Sequence, residues 1–337
     1  MDCSEDRAYR LLNEYSNGFM ISQVLFTACE LGVFDLLAEA PEPLGSAVVA
    51  ARLGTSPRGT ELLLDACASL ELLTVETRGE RAVCQNTELS RTFLARASPK
   101  SQHNMQLYLS RTTYLCWGHL AAAVREGKNQ YTKAFGVPSN ELFTAIYRSE
   151  AEQLQFMRGL QEAWSVHGGA VMAAFDLSPF PLICDLGGGS GALARECVSL
   201  YPECRVIVFD VSEVVRMAKK HFSFPGEEQV SFREGLGGRL CPQGKEMSTG
   251  LGDGLCPQGK ETSTGLGGRL CPQRKSLLDE DRRGPLTTQL YSLNMLVQTE
   301  GRERTPAEYS TLVSSASFWG FQFKKTGKIY DVILVRK

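Results

Sequence analysis

Apolar positions recur at helical spacing through the start of the chain: Phe19, Ile21, Leu25, Phe26 and Cys29 lie in a pattern that predicts a helix over residues 6–37. A short helix over 44–53 is expected next, then the turn Gly54-Thr-Ser-Pro-Arg-Gly59, then a second helix over 60–73. Over residues 73–84 the period changes to alternation about Gly79, which predicts a β-hairpin. Helix, turn, helix and hairpin together predict a winged-helix-like arrangement. Further helices are expected over 113–127 and 141–166. In the second, Phe156, Met157, Leu160 and Trp164 share one side, the ordinary pattern of a core-facing stripe.

Winged helices often bind DNA, and charge tests that. The second helix carries Glu61, Asp65 and Glu71 and no cation, and the hairpin mixes Arg78 and Arg81 with Glu76 and Glu80. A net charge of −2 over 337 residues adds no pull toward nucleic acid or an anionic membrane. The apolar helical surface therefore reads as a core plus a face between two copies of the chain, making a homodimer the expected assembly. The apolar run over 19–37 is broken by Ser22, Gln23, Thr27, Glu30 and Asp35, too polar to cross a bilayer, and the polar residues 1–10 do not read as a signal peptide. Eleven cysteines, mostly single and in apolar contexts such as Cys29, Cys67, Cys116 and Cys184, suit reduced thiols in the cytoplasm.

The most informative local sequence is Phe180-Pro-Leu-Ile-Cys-Asp-Leu-Gly-Gly-Gly-Ser-Gly-Ala192. Leu182 to Cys184 predict a short buried strand ended by Asp185. Gly187, Gly189 and Gly191 predict a tight turn into a helix over 192–200, at a place where a ligand approaches backbone and a Cβ would be in the way. A second strand over 205–209 ends in Asp210, whose carboxylate can accept hydrogen bonds from ribose hydroxyls. Gly187-x-Gly189-x-x-Ala192 also fits a dinucleotide fingerprint, so an NAD-binding oxidoreductase is the rival reading. Asp185 separates the two. An acid beside the turn would repel a pyrophosphate, whereas it favours the cationic amino group and sulfonium of S-adenosylmethionine.

Four stretches carry a resemblance: Tyr114-Leu-Cys-Trp-Gly-His-Leu, Leu142-Phe-Thr-Ala-Ile-Tyr-Arg-Ser-Glu, Cys184-Asp-Leu-Gly-Gly-Gly-Ser-Gly-Ala-Leu-Ala and Leu290-Tyr-Ser-Leu-Asn-Met-Leu-Val-Gln. Over residues 1–235 and 276–337 the chain resembles the acetylserotonin (hydroxyindole) O-methyltransferase family. The resemblance implies an α/β class I, Rossmann-like methyltransferase domain over 112–337, preceded by a helical, winged-helix-like dimerisation domain over 1–111. It implies S-adenosylmethionine as cofactor and a small hydroxyindole, N-acetylserotonin, as substrate. By position, Tyr147, Trp164, Asp210 and Gly235 match cofactor-contacting residues, beside Asp185 and the three glycines. Asn294 and Gln298 match substrate-contacting residues. They stand four apart on an otherwise apolar helix over 290–297, so both amides face one way, which is also how an ordinary polar face looks.

From Gly235 the chain changes character. Gly235-Leu-Gly-Gly-Arg-Leu-Cys-Pro-Gln-Gly-Lys-Glu-Met-Ser-Thr249 is followed by a second fifteen-residue copy and a truncated third. The composition over 235–275 predicts a loop open to proteolysis at Arg239, Lys245, Lys260 and Arg269. Cys241, Cys256 and Cys271 recur too far apart, and without histidine, to suggest zinc. In the family this interval holds two central strands and the His-Asp pair whose histidine takes the phenolic proton. This chain's histidines are His103, His119, His167 and His221, none of them after residue 221, so no catalytic base is assigned. The resemblance therefore leaves two readings: a methyltransferase of reduced activity, or an inactive homologue that keeps only its dimerisation.

Overall fold

The computed structural model describes residues 3–79, 81–138, 145–222, 228–235, 277–315 and 319–336. The repeat beyond Gly235, with the cleavage sites and cysteines expected in it, lies outside the described residues. The chain divides into two compact units, Met1–Arg111 and Thr112–Lys337.

In the first unit the long helix expected over 6–37 is two helices, α1 (Cys3–Leu31) and α2 (Val33–Glu39). Gly32 lies between them at φ 79°, a left-handed conformation that ends a helix and that glycine adopts without steric cost. Then come α3 (Ser46–Leu53) and α4 (Pro57–Ser69). The hydroxyl of Ser56 accepts from the Gly59 N–H at 3.4 Å, and Pro57 fills the first helical position, so α4 starts earlier than expected and takes in Arg58. β1 (Leu73–Arg78) and β2 (Arg81–Asn86) form the antiparallel hairpin, Leu73 opposite Asn86. α5 (Glu88–Phe93) and α6 (His103–Tyr108) follow. Phe34, Val49, Leu64, Cys67, Leu73 and Cys84 build one core from both helices and hairpin. Tyr9, Leu12, Tyr15, Phe19, Met20 and Ile21 on α1 remain exposed. No single described helix is long and apolar enough to cross a membrane.

The second unit opens with the short helices α7 (Tyr114–Trp117), α8 (Leu120–Glu126) and α9 (Tyr131–Phe135). A 23-residue helix, α10 (Glu150–Met172), is capped by Ser149, whose hydroxyl accepts from the Glu152 N–H at 3.2 Å. A parallel three-stranded sheet then alternates with helices: β3 (Leu182–Leu186), α11 (Ala192–Leu200), β4 (Arg205–Asp210), α12 (Ser212–His221), β5 (Val230–Glu234). The strand order is β3-β4-β5, with Asp185 opposite Val208 and Val206 opposite Val230. Leu193, Cys197, Val206, Val208 and Val230 form its core, joined by Val332 from the last strand. The chain ends with α13 (Leu286–Thr299), α14 (Pro306–Ser315) and an antiparallel pair, β6 (Trp319–Lys325) and β7 (Asp331–Arg336). This is the class I methyltransferase plan, preceded in the chain by a helical domain. Among the described residues no strand lies between β5 and β6, and the β6-β7 pair is a separate sheet.

Two strand expectations need correction. Asp185 does not end β3, which runs on through Leu186. Nor is β3 buried: Leu182 is 55% and Leu186 54% exposed, and Cys184 is exposed too. The reason is topological. Among the described residues β3 pairs with β4 alone, so no second described strand covers its other edge and Leu182 and Leu186 stay more than half exposed.

Candidate functional site

The carboxyl end of β3 leads into the glycine turn. Gly187, Gly189 and Gly191 all have left-handed backbones, at φ 71°, 57° and 75°. Gly191 is the N-cap of α11, so the turn delivers the chain directly into a helix. Gly188 is required for a different reason. A Cβ there would lie 2.5 Å from Asp185 Oδ2 and 2.8 Å from Val208 Cγ1. The turn therefore lies directly over the Asp185 carboxyl.

Asp185 and Asp210 make the electrostatics of the site. Asp185 Oδ2 is buried and accepts no hydrogen bond among the described residues. Burial, and then the neighbouring Asp210 carboxylate, push the Asp185 carboxyl up to about 7. Asp210, at the end of the adjacent strand, is also raised by burial. Its Oδ2 accepts from the Gly189 N–H at 2.9 Å and its Oδ1 from the Val211 N–H at 2.8 Å. Each oxygen keeps a second lone pair for a ligand. The Gly235 N–H donates to the Asp210 carbonyl at 3.2 Å, which ties the end of β5 to the same place.

Tyr147 packs against Met157, Val214, Met217 and Phe222 alongside Val211, with its ring 6.0 Å from that of Phe156. The structure thus brings Asp185, Gly187, Gly189, Gly191, Asp210 and Gly235 together and sets Tyr147 against the element that follows Asp210. Trp164 packs on the core cluster that includes Leu193 and Val208, and its ring meets Tyr330 at 5.8 Å. That contact belongs to the core stripe expected of its helix.

Asn294 and Gln298 meet on α13 as their spacing implies, but not as a solvated face. Gln298 is buried, and its Nε2 donates to Asn294 Oδ1 at 2.8 Å. Two residues missed in the sequence complete the group. Trp117 Nε1 donates to the same Asn294 oxygen at 2.8 Å, and the buried Tyr131 hydroxyl donates to Gln298 Oε1 at 3.3 Å. Trp117 stands inside one of the resembling stretches, yet nothing local marks its partner, 177 residues away. The histidines lie elsewhere. His103 is in the first unit, His119 is the N-cap of α8, His167 meets Tyr330 edge-on at 5.1 Å, and His221 ends α12 at 3.9 Å from Glu150.

With this geometry in hand (a left-handed glycine turn, a buried acid beneath it and a second acid at the next strand end), comparison with known proteins gives the family. An O-methyltransferase domain model matches residues 117–239 and 267–319, and an O-methyltransferase dimerisation domain model matches 13–96. The chain belongs to the O-methyltransferase family. The interruption of the domain match falls within the fifteen-residue repeat. Acetylserotonin O-methyltransferase of Homo sapiens is 62% identical over 345 residues, with all of both chains covered. The enzyme of the same name from Gallus gallus is 51% identical over 346 residues, again with all of both chains covered. The crystal structure of human N-acetylserotonin methyltransferase in complex with SAM superposes with a TM-score of 0.89 at 59% identity, covering 100% of this chain and 99% of that one. PigF with SAH, at 22% identity and a TM-score of 0.77 over 97% of this chain and 99% of that one, shares the fold.

Proposed function

We propose that the chain transfers a methyl group from S-adenosylmethionine to the 5-hydroxyl oxygen of N-acetylserotonin or a near hydroxyindole, as a cytoplasmic homodimer. The observation that carries this is the unsatisfied, buried Asp185 acceptor under a glycine turn. It suits a cationic ligand and would oppose the pyrophosphate of a dinucleotide. The names and identities of the full-length relatives support the substrate class. The match to a dimerisation domain and the exposed apolar face of α1 support the homodimer. The buried thiols of Cys67, Cys116 and Cys197 support a reducing compartment.

The residues present fit the cofactor. Asp185 would balance its positive charge, the free lone pairs of Asp210 would take ribose hydroxyls, and Gly187, Gly189 and Gly191 would let it lie against backbone. Tyr147 and Trp164 would supply aromatic surface and Gly235 the end of β5, while Asn294 and Gln298 would hold the hydroxyindole. When bound, the cofactor supplies a methyl group activated by a sulfonium. What this chain does not supply after β5 is a histidine to take the phenolic proton. A phenol with a pKa of about 10 stays protonated at neutral pH, and loss of a general base costs roughly 10²- to 10⁴-fold.

A radiolabelled methyl-transfer assay with N-acetylserotonin tests both parts. The chain is compared with a chimera in which residues 235–275 are replaced by a family segment carrying the His-Asp pair. Methylation by both, with the natural chain slower by roughly 10²- to 10⁴-fold, is the expected result. No product from the chimera would overturn the substrate assignment, and equal rates would overturn the need for that base.

A further inference from the structure

We infer that Trp117 and Tyr131 are positioning residues that lock the side-chain amide of Asn294 with its N–H groups toward the ligand, so that this position accepts a hydrogen-bond acceptor oxygen, such as an amide carbonyl, and refuses a donor. The ligand half of this rests on the reading of Asn294 as a substrate contact.

The argument starts at an atom whose chemistry is unambiguous. An indole N–H can only donate. Trp117 Nε1 is 2.8 Å from the terminal side-chain atom of Asn294, so that atom is the oxygen, Oδ1. Gln298 Nε2 donates to the same oxygen at 2.8 Å, which takes its second lone pair. That donation orients Gln298 with Oε1 toward the Tyr131 hydroxyl, 3.3 Å away. Three side chains from α7, α9 and α13 therefore fix one amide in one orientation. The chain before Tyr131 is itself pinned to α13: the Gln130 N–H donates to the Val297 carbonyl at 2.9 Å, and Asn129 Nδ2 donates to Glu300 Oε1 at 2.8 Å. Asn294 Nδ2 donates to no described residue, and Asn294 is only partly buried. An amide wired on its acceptor side and open on its donor side is built to present N–H. An acceptor on the ligand completes it, whereas a donor would leave two N–H groups opposed.

The test uses the full chain and three variants, Asn294→Asp, Asn294→Leu and Trp117→Phe. N-acetylserotonin and S-adenosylmethionine are each titrated by calorimetry, and the indole N–H resonance of Trp117 is followed by NMR. Asn294→Asp still accepts from Trp117 and Gln298 but has nothing to donate. It should weaken N-acetylserotonin binding about tenfold or more, hold the Trp117 resonance in its hydrogen-bonded range and leave S-adenosylmethionine affinity unchanged. Trp117→Phe, which frees the amide to turn, should weaken N-acetylserotonin about fivefold with the same cofactor affinity. Binding by Asn294→Asp as tight as by the unaltered chain, or a Trp117 resonance unmoved in Asn294→Leu, would overturn the inference. An unaltered chain that takes no N-acetylserotonin would overturn the substrate reading and the ligand half with it, while the Trp117 resonance would still decide the amide's orientation.

Discussion

At the scale of single residues, space and charge at the glycine turn decide what the site can hold. A methyl group at Gly188 would press on both Asp185 and Val208, neither of which can withdraw into a packed strand pair. Gly188→Ala should cost about 1–3 kcal/mol in chemical denaturation and abolish calorimetric binding of S-adenosylmethionine. Asp185 makes a prediction in pH. Its folded carboxyl titrates near 7, above the ordinary value of an unfolded aspartate, so the folded state binds the proton more tightly. Stability of the ligand-free protein should therefore be greatest below about pH 4 and fall as pH rises to about 7 through this group. Cofactor affinity should run the other way, rising by up to about tenfold per pH unit toward 7 as the carboxylate forms. Asp185→Asn should flatten both profiles, as thermal melts and calorimetry across that range would show. Retention of either slope in the variant would assign it to another group.

At the scale of elements, β3 is in an unusual position for the first strand of a parallel sheet. Parallel strands are normally covered on both faces and paired on both sides. Here Leu182 and Leu186 are more than half exposed, and among the described residues only β4 pairs with β3. An apolar strand with a free edge is a template for association with another chain. Replacing Leu182 and Leu186 together by Lys should lower concentration-dependent light scattering and change stability by less than about 1 kcal/mol, since more than half of each residue is already exposed. A large loss of stability would mean that these side chains are covered in solution. β7 shows that the C-terminal pair has not left the domain. Val332 packs in the same core as Val206 and Val208, although among the described strands β6 and β7 pair only with each other.

At the scale of the whole molecule, the exposed apolar residues of α1 bear on the proposed homodimer. Tyr15, Phe19, Met20 and Ile21 are each more than half exposed, in a region that matches an O-methyltransferase dimerisation domain. A face of this kind is stable in water when a second copy covers it. Sedimentation of the full chain at micromolar concentration should give a dimer, and Phe19→Glu should shift it toward monomer without unfolding α1, because Phe19 is not in the core of its own unit. A clean monomer for the unaltered chain would exclude the homodimer.

Residues close together in sequence set what could be read without coordinates. The glycine turn was legible because three left-handed positions within five residues leave little choice but glycine, and Asp210 because a strand must end before α12 begins. The hairpin about Gly79 and the fifteen-residue repeat were legible for the same local reason. The exact ends of helices were less so. The break at Gly32 and the early start of α4 depend on one glycine and one cap within otherwise continuous patterns. Tertiary structure alone decided the rest. It buried Asp185 Oδ2 with no partner among the described residues, paired β3 there with β4 alone and joined Trp117 to Asn294 across 177 residues. Backbone sterics act between neighbours and so are written locally. Burial, electrostatic coupling and long-range hydrogen bonds depend on which elements pack together, which the local pattern leaves open.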